Sequence, residues 1–153
     1  MKHLLIVYHS KTGNTAQLAE AVRAGASHAD IEDVEVRFKQ APEADADDLR
    51  WADGLLLGTP ENFGYMSGMM KDFLDRTYYE VEGELQPLPY AIFISAENDG
   101  SGAVSAIQRI ANGYPFTQVH EPLIAKGVIT QQHLDAARDL GLTLAAGLEA
   151  GIF

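Results

Sequence analysis

The residues best suited to chemistry in this chain form one short polar segment, Ser10-Lys11-Thr12-Gly13-Asn14-Thr15. It lies between an apolar run, Leu4–Tyr8, that predicts a buried strand and a stretch, Ala16–Ala26, that predicts a helix. The first backbone N–H groups of a helix have no intrahelical acceptor and lie at the positive end of the helix dipole. The segment therefore predicts an anion site, to which hydroxyl and amide side chains add donors.

The order of residues in this segment narrows the kind of anion. Loops of nucleotide triphosphatases need a second, earlier glycine and a Gly-Lys-Ser/Thr run, whereas Lys11 precedes Gly13 here. A single phosphate monoester bound without magnesium is therefore the better match. The alternative is a plain strand-to-helix turn, in which Asn14 caps the helix and Gly13 makes the turn.

Length and composition limit the classes of function. A chain of 153 residues fits one domain, over residues 1–153, with a full core. The formal net charge of −11 argues against nucleic-acid binding, because phosphate backbones need clustered Lys and Arg. The chain has no cysteine, which removes disulfides, thiolate catalysis and iron–sulfur ligation, and no metal site is expected. Any redox chemistry must come from a cofactor.

The amino-terminal apolar run is too short for a signal peptide or a membrane span. We therefore expect a cytoplasmic protein with no membrane partner.

Hydrophobic patterning predicts five repeats of strand and helix. The strands are Leu4–Tyr8, Val34–Phe38, Gly54–Gly58, Tyr90–Ile94 and Thr117–Ala125, and the longer helices are Ala16–Ala26, Ser67–Tyr79, Ala103–Asn112 and Gln131–Leu148. Ala41–Asp48 is predicted to be a solvated connection with a helical turn over 47–51, and Met66, Met69 and Met70 are expected in the core. This alternation predicts an α/β fold, a doubly wound five-stranded parallel sheet of order 2-1-3-4-5 with helices on both faces.

In that strand order, the loops after strands one, three and four converge at the carboxyl edge of the sheet. The second loop is Thr59-Pro60-Glu61-Asn62-Phe63-Gly64-Tyr65, and the third is Ser95-Ala96-Glu97-Asn98-Asp99-Gly100, continuing through Gly102. Both carry glycine, amide and hydroxyl groups that can present donors to a flat heterocycle. Taken singly, either loop also reads as ordinary turn chemistry.

Together the three loops resemble those of flavodoxin-like FMN proteins, over essentially the whole chain. Ser10–Thr15 matches that family's Ser/Thr-x-Thr-Gly-Asn-Thr phosphate loop. The segment Gly58–Met66, followed by Lys71-Asp72-Phe73-Leu74-Asp75, resembles the Gly-Thr-Pro-x-x-Phe-Gly-x-Met and Lys-x-Phe-Leu-Asp segments of NAD(P)H:quinone reductases of the tryptophan-repressor-binding-protein type. The long insertion and the glycine-and-threonine third loop of those reductases are absent.

The resemblance implies a cofactor, FMN, and a set of residues that hold it. Ser10–Thr15 would hold the phosphate, while Thr59–Tyr65 and Ser95–Gly100 would frame the isoalloxazine ring. No side chain need be catalytic, because FMN carries the chemistry. NAD(P)H is then the implied co-substrate.

Three functions fit such a site. An NAD(P)H-dependent oxidoreductase would leave one flavin face open and pass electrons to a quinone or a similar small acceptor. An electron-carrying flavodoxin would serve a redox protein and cover both faces with aromatic rings, but the third loop has no aromatic residue, which favours the reductase. The third candidate function is a flavin-binding module without turnover. Association with further copies of the chain is left open.

Overall fold

Seven strands and five α-helices make up the protein in a computed structural model that describes residues 1–153. The strands are β1 (Lys2–Tyr8), β2 (Val34–Gln40), β3 (Gly54–Asn62), β4 (Tyr65–Met66), β5 (Leu88–Ala96), β6 (Phe116–Gln118) and β7 (Leu123–Lys126). The helices are α1 (Asn14–Ala26), α2 (Ala46–Trp51), α3 (Gly68–Val81), α4 (Ser101–Gly113) and α5 (Gln131–Glu149). A 3₁₀ turn, Ala41–Glu43, precedes α2.

The strands form a sheet in the order β2-β1-β3-β5-β6, and all pairs along this path are parallel. This confirms the predicted doubly wound order, in which the chain reverses direction across the sheet between β1 and β3. The carboxyl ends of β1, β3 and β5 therefore lie side by side, where ligands bind in open α/β sheets.

The fifth sheet position is divided into two short strands, so the prediction of one strand over Thr117–Ala125 is wrong. β6 pairs with the beginning of β5, at Leu88↔Phe116, whereas β7 pairs with its end, at Ser95↔Ala125. Pro122 lies in the break, and proline has no N–H to donate to a sheet ladder. Of these two short strands, β7 is the one that extends to the carboxyl edge of the sheet.

Apolar side chains fill both faces of the sheet. Leu55 and Leu57 of β3 point into the core beneath α2, α3 and α4, while Leu56 points into the core beneath α1 and α5. All three leucines are fully buried, as predicted for a central strand. β2 is only half-buried, which agrees with its position at the edge of the sheet.

Two local predictions about burial are wrong. The stretch around α2 is not a solvated connection, because Ala41 and Ala44 are buried in the core and Asp48 is buried beside β2. The helical pattern placed all three methionines in the core, but Met69 is 42% exposed near the start of α3, whereas Met70 is buried. A helix that begins at the rim of a sheet exposes part of its first turn.

Candidate functional site

A cleft of about 330 Å³ opens at the carboxyl edge of the sheet, where the three predicted loops meet. Every residue that lines it belongs to those loops: Lys11, Thr12, Asn14, Pro60, Glu61, Asn62, Phe63, Gly64, Ser95, Ala96, Glu97, Asn98 and Asp99. The convergence inferred from strand order is therefore present in the folded chain. That these residues contact FMN stays a prediction.

Six predicted site residues do not line the cleft: Ser10, Gly13, Thr15, Thr59, Tyr65 and Gly100. Ser10 instead organises the first loop, since its Oγ accepts hydrogen bonds from the amides of Gly13 and Ala16, both at 3.1 Å. Such bonds hold the loop in one conformation before a ligand arrives. Tyr65 instead lines a neighbouring groove. This groove and the cleft share one lining residue, Gly64.

The first loop presents unpaired backbone donors. Gly13 occupies the N-cap position of α1 with φ of 102°, a left-handed conformation that favours glycine, and no side chain caps the helix. The alternative in which Asn14 is the cap is therefore wrong. The backbone N–H groups of Lys11, Thr12 and Asn14 have no acceptor within the protein. They lie at the positive end of α1, as a phosphate site requires.

Two buried hydroxyl groups hold the loops together. Thr15 Oγ1 lies 2.7 Å from Ser95 Oγ, which joins the first loop to the end of β5. Thr59 Oγ1 donates to the carbonyl of Pro60 and accepts from the amide of Ser67, both at 2.9 Å. Both threonines are fully buried, so their hydroxyls serve the framework of the site rather than its surface.

The second loop is a hairpin rather than an open loop. The stretch from Thr59 to Asn62 continues β3, and Asn62 pairs with Tyr65 across a two-residue turn. The turn residues Phe63 and Gly64 have φ of 52° and 70°, the signs required by a type I′ turn. The left-handed region is unusual for a phenylalanine and strained. Phe63 is fully exposed there, with its ring at the rim of the cleft.

Glu61 connects the second loop to the third. Its Oε1 accepts from the amide of Gly100 at 3.0 Å, and its Oε2 accepts from the amides of Gly102 at 3.0 Å and Ala103 at 3.2 Å. A carboxylate is stabilised in this position because the first amides of α4 are unpaired and the helix dipole is positive there. The sequence predicted only that Glu61 helps to frame the ring of a cofactor. It carries no signal that α4 packs against this residue.

The hairpin lies directly against α4. A Cβ atom added to Gly102 would lie 2.0 Å from the carbonyl oxygen of Gly64, closer than any real contact. Glycine at position 102 is therefore required by this close approach, and the tip of the hairpin is fixed relative to the third loop. The hairpin and the third loop, which form two walls of the cleft, therefore hold each other in position.

The charged residues of the chain are distributed unevenly around the cleft. Seven of the 11 Lys and Arg residues form ion pairs with carboxylates, namely Arg23, Arg37, Lys39, Arg50, Lys71, Arg76 and Arg138. Of the four others, Lys2 lies at the amino end of β1. Lys11 lines the cleft, Arg109 lines the neighbouring groove, and Lys126 ends β7, where it pairs with Ala96 at the end of β5. Of the unpaired cations, Lys11 alone lines the cleft, and Arg109 lines the groove beside it.

Two exposed carboxylates also line the cleft. Glu97 and Asp99 lie on the third loop, where Asp99 accepts a hydrogen bond from the hydroxyl of Ser101. This places acid on the wall opposite the hairpin. The third loop contributes no aromatic ring to the cleft.

His9, directly before the first loop, carries the one buried side-chain polar atom that has no hydrogen-bond partner. Its Nδ1 is buried without a hydrogen-bond partner, and burial lowers the pKa of the imidazole. No group of three or more His, Cys, Asp or Glu side chains is arranged to hold a metal ion. No helix has both the length and the apolar character needed to cross a membrane.

Comparison with known proteins agrees with this fold. The family model described as NADPH-dependent FMN reductase matches residues 1–125. A flavodoxin of Aquifex aeolicus is 32% identical over 161 aligned residues, covering 95% of this chain and 86% of the relative. An NAD(P)H dehydrogenase (quinone) of Acidithiobacillus ferrooxidans is 36% identical over 121 residues, 67% of this chain and 60% of the relative.

Among solved structures, a flavodoxin from the domain Archaea superposes with a TM-score of 0.80 at 23% identity, covering 96% of this chain and 99% of that one. The fold is therefore that of the flavodoxin-like proteins. The chain belongs to the NADPH-dependent FMN reductase family within that class.

The residues present fit the cofactor of this family. FMN carries one phosphate monoester, and the first loop offers three unpaired amides together with Lys11 and Thr12, whose side chains can donate to an anion. The cleft beyond this loop is walled by backbone and amide groups of the second and third loops, as a flat heterocycle with several polar atoms needs.

Proposed function

We propose that the protein is an FMN-dependent oxidoreductase that takes electrons from NAD(P)H and delivers them to a quinone or a similar small acceptor. Bound FMN would supply the two-electron chemistry, so the protein's residues need only bind, orient and give access. The family match and the relatives named NAD(P)H dehydrogenase (quinone) support this class of reaction.

One observation supports the reductase over an electron carrier: the cleft has an aromatic residue on one side only. Phe63 lies on the hairpin, whereas the opposite wall, 97–99, carries only polar side chains. A ring bound between these walls would keep one face uncovered by an aromatic side chain. A nicotinamide needs such a face to stack within transfer distance.

Each group of residues then has a defined part. The first loop binds the phosphate and fixes the depth of the cofactor in the cleft. Glu61 fixes the third loop against the hairpin, so that both edges of the ring are oriented by rigid backbone. The strained turn at Phe63 holds its ring at the opening, where it controls how far the cofactor is exposed to solvent.

A second candidate is an electron carrier that serves a redox protein. The flavodoxin of Aquifex aeolicus aligns with nearly the whole chain, and Glu97, Asp99 and the net charge of −11 would oppose negative charge on a reduced ring. The same charges would also repel NAD(P)H, so the two functions differ in a measurable way.

Anaerobic mixing of the FMN-loaded protein with NADPH or NADH separates the functions. We expect the flavin absorbance to bleach in a single turnover and to recover when a quinone such as menadione is added. A carrier, or a flavin-binding module without turnover, would stay oxidised with both nucleotides. A carrier would still exchange electrons with dithionite and a redox protein, whereas a non-catalytic module would not pass them on.

A further inference from the structure

A second groove lies next to the cleft, between the β3–β4 hairpin and α4. Its volume is about 440 Å³, and Gly64 at the tip of the hairpin forms part of both walls. The groove therefore begins where the cleft ends. A ligand too long for the cleft can continue into it across the hairpin tip.

Three side chains give this groove its chemistry. Tyr65 contributes an aromatic ring that is 42% exposed, Arg109 contributes an exposed guanidinium, and Ser105 contributes an exposed hydroxyl. None of their polar atoms bonds to another protein group. An aromatic face stacks on a flat base, and a guanidinium binds phosphate through two parallel hydrogen bonds.

The free state of Arg109 is unusual in this protein. Carboxylates outnumber cations two to one, 22 to 11, and every other arginine is paired with one of them. The exposed guanidinium of Arg109 is therefore the one arginine available to an anion from outside. It lies on the side of the hairpin away from the carboxylates of Glu97 and Asp99, which line the cleft and not the groove.

We propose that this groove binds the adenosine phosphate half of NAD(P)H, with a phosphate on Arg109 and the adenine against Tyr65. The inference rests on the proposed oxidoreductase function and adds to it the place where the nucleotide enters. The nicotinamide half then extends past Gly64 into the cleft. A positive groove beside an acidic cleft also accounts for how an anionic substrate approaches a chain with a net charge of −11.

Binding of ADP-ribose tests the proposal, since this compound carries the adenosine and phosphates without the nicotinamide. Calorimetric titration of the FMN-loaded protein is expected to show binding that weakens with salt. Arg109→Gln should weaken it about tenfold, the typical loss for one charged hydrogen-bonded contact. Arg138→Gln is the matched control, because Arg138 is similarly exposed but lies on α5 and pairs with Asp135. The control should bind as the wild type does.

The outcomes separate this proposal from the function on which it rests. If NAD(P)H bleaches the flavin but Arg109→Gln binds ADP-ribose as tightly as the wild type, or if the wild type does not bind it, the groove assignment is wrong and the oxidoreductase remains. If NAD(P)H does not bleach the flavin and ADP-ribose does not bind, both are wrong. An unchanged flavin content and spectrum in each variant shows that the fold is intact.

Discussion

Two polar regions of the molecule differ in whether their charged and hydrogen-bonding groups have partners within the protein. At the β2 edge, the Asp48 cluster joins Asp48 to Arg37 at 2.9 Å, to Lys39 at 3.0 Å and to the amide of Asp45 at 3.0 Å. Every charge there has a partner. At the carboxyl edge, the cleft leaves amides of the first loop and the ammonium of Lys11 without one.

This difference separates a structural polar cluster from a candidate binding site. Asp48 is buried, and a buried carboxylate is tolerated only when it is paired and hydrogen-bonded. The donors at the cleft are exposed to water and so can remain without protein partners until a ligand replaces the water. Buried pairs stabilise the fold, whereas unpaired donors at a rigid rim provide affinity for an anion.

The largest effect on stability is expected from Asp48→Ala. Its removal leaves Arg37 and Lys39 unpaired and breaks the capping box of α2, so the free energy of unfolding should fall by about 2–4 kcal/mol. Urea denaturation measures the change. Asp47→Ala, in the same helix but exposed, should cost less than about 1 kcal/mol. Equal losses in the two variants would contradict the structural role of the cluster.

The same cluster predicts a pH dependence. Burial raises the pKa of Asp48, but hydrogen bonds from Lys39, the amide of Asp45 and Arg37 outweigh it and hold this pKa below its ordinary value. A lowered pKa contributes stability that is present above about pH 4 and is lost as the pH falls through the folded-state value. The stability difference between the wild type and Asp48→Asn should therefore stay constant from about pH 7 to pH 5 and shrink below about pH 4. A difference that grows on acidification would contradict this.

At the cleft, Lys11→Gln combined with Thr12→Ala should weaken FMN binding by about thirtyfold, because two donors to an anion are lost. Quenching of FMN fluorescence measures the affinity, and riboflavin, which has no phosphate, should bind both proteins equally. Lys2→Gln is the control, since Lys2 is also unpaired but lies at the opposite end of β1. An equal loss of riboflavin affinity would mean that the loop acts through structure alone.

Glu61→Gln should have a smaller effect on both properties. An amide has one acceptor oxygen instead of two, so the amides of Gly100 and Gly102 cannot both be satisfied. We expect a loss of about 1–2 kcal/mol in unfolding free energy and FMN affinity reduced about threefold. If stability were unchanged, the link between the hairpin and α4 would not contribute as the contacts indicate.

The smallest effect is expected at the exposed acids of the third loop. Glu97→Gln with Asp99→Asn should speed flavin reduction by NAD(P)H about threefold at low salt, since two charges that repel the nucleotide are removed. The gain should diminish above about 0.1 M salt, where exposed charges are screened within about 10 Å. Stopped-flow absorbance measures the rate. A gain that persists in high salt would point to a change in loop structure.

The sequence predicted the strands and helices because apolar periodicity is a local signal. The sheet order, and with it the convergence of the three loops, followed because 2-1-3-4-5 is a common order for five alternating strands and helices. The sequence also placed every residue that lines the cleft. It did not predict the roles of Thr15 and Glu61, whose partners are 80 residues away at Ser95 and about 40 residues away at the start of α4. Contacts at that sequence separation leave no local pattern.

Two further errors arise from tertiary packing, and a third arises from an unusual turn. The break at Pro122 separates two short strands that the polar pattern did not distinguish from one. Asp48 looked solvated because its partners are on β2. The hairpin within the predicted loop Thr59–Tyr65 was missed for a local reason, since a type I′ turn with phenylalanine in the left-handed region is rare. These departures from the local sequence pattern all lie at the cleft or at an edge of the sheet.

Titration of the flavin-free protein with FMN and with riboflavin tests the central claim most directly, namely that the unpaired donors of the first loop form a phosphate site. If they do, FMN should bind at least about a hundredfold more tightly than riboflavin, the ratio expected when several charge-assisted hydrogen bonds reach one anion. The ratio should fall as salt rises. Equal affinity for the two flavins would contradict the claim, because the loop would then be only a turn between β1 and α1.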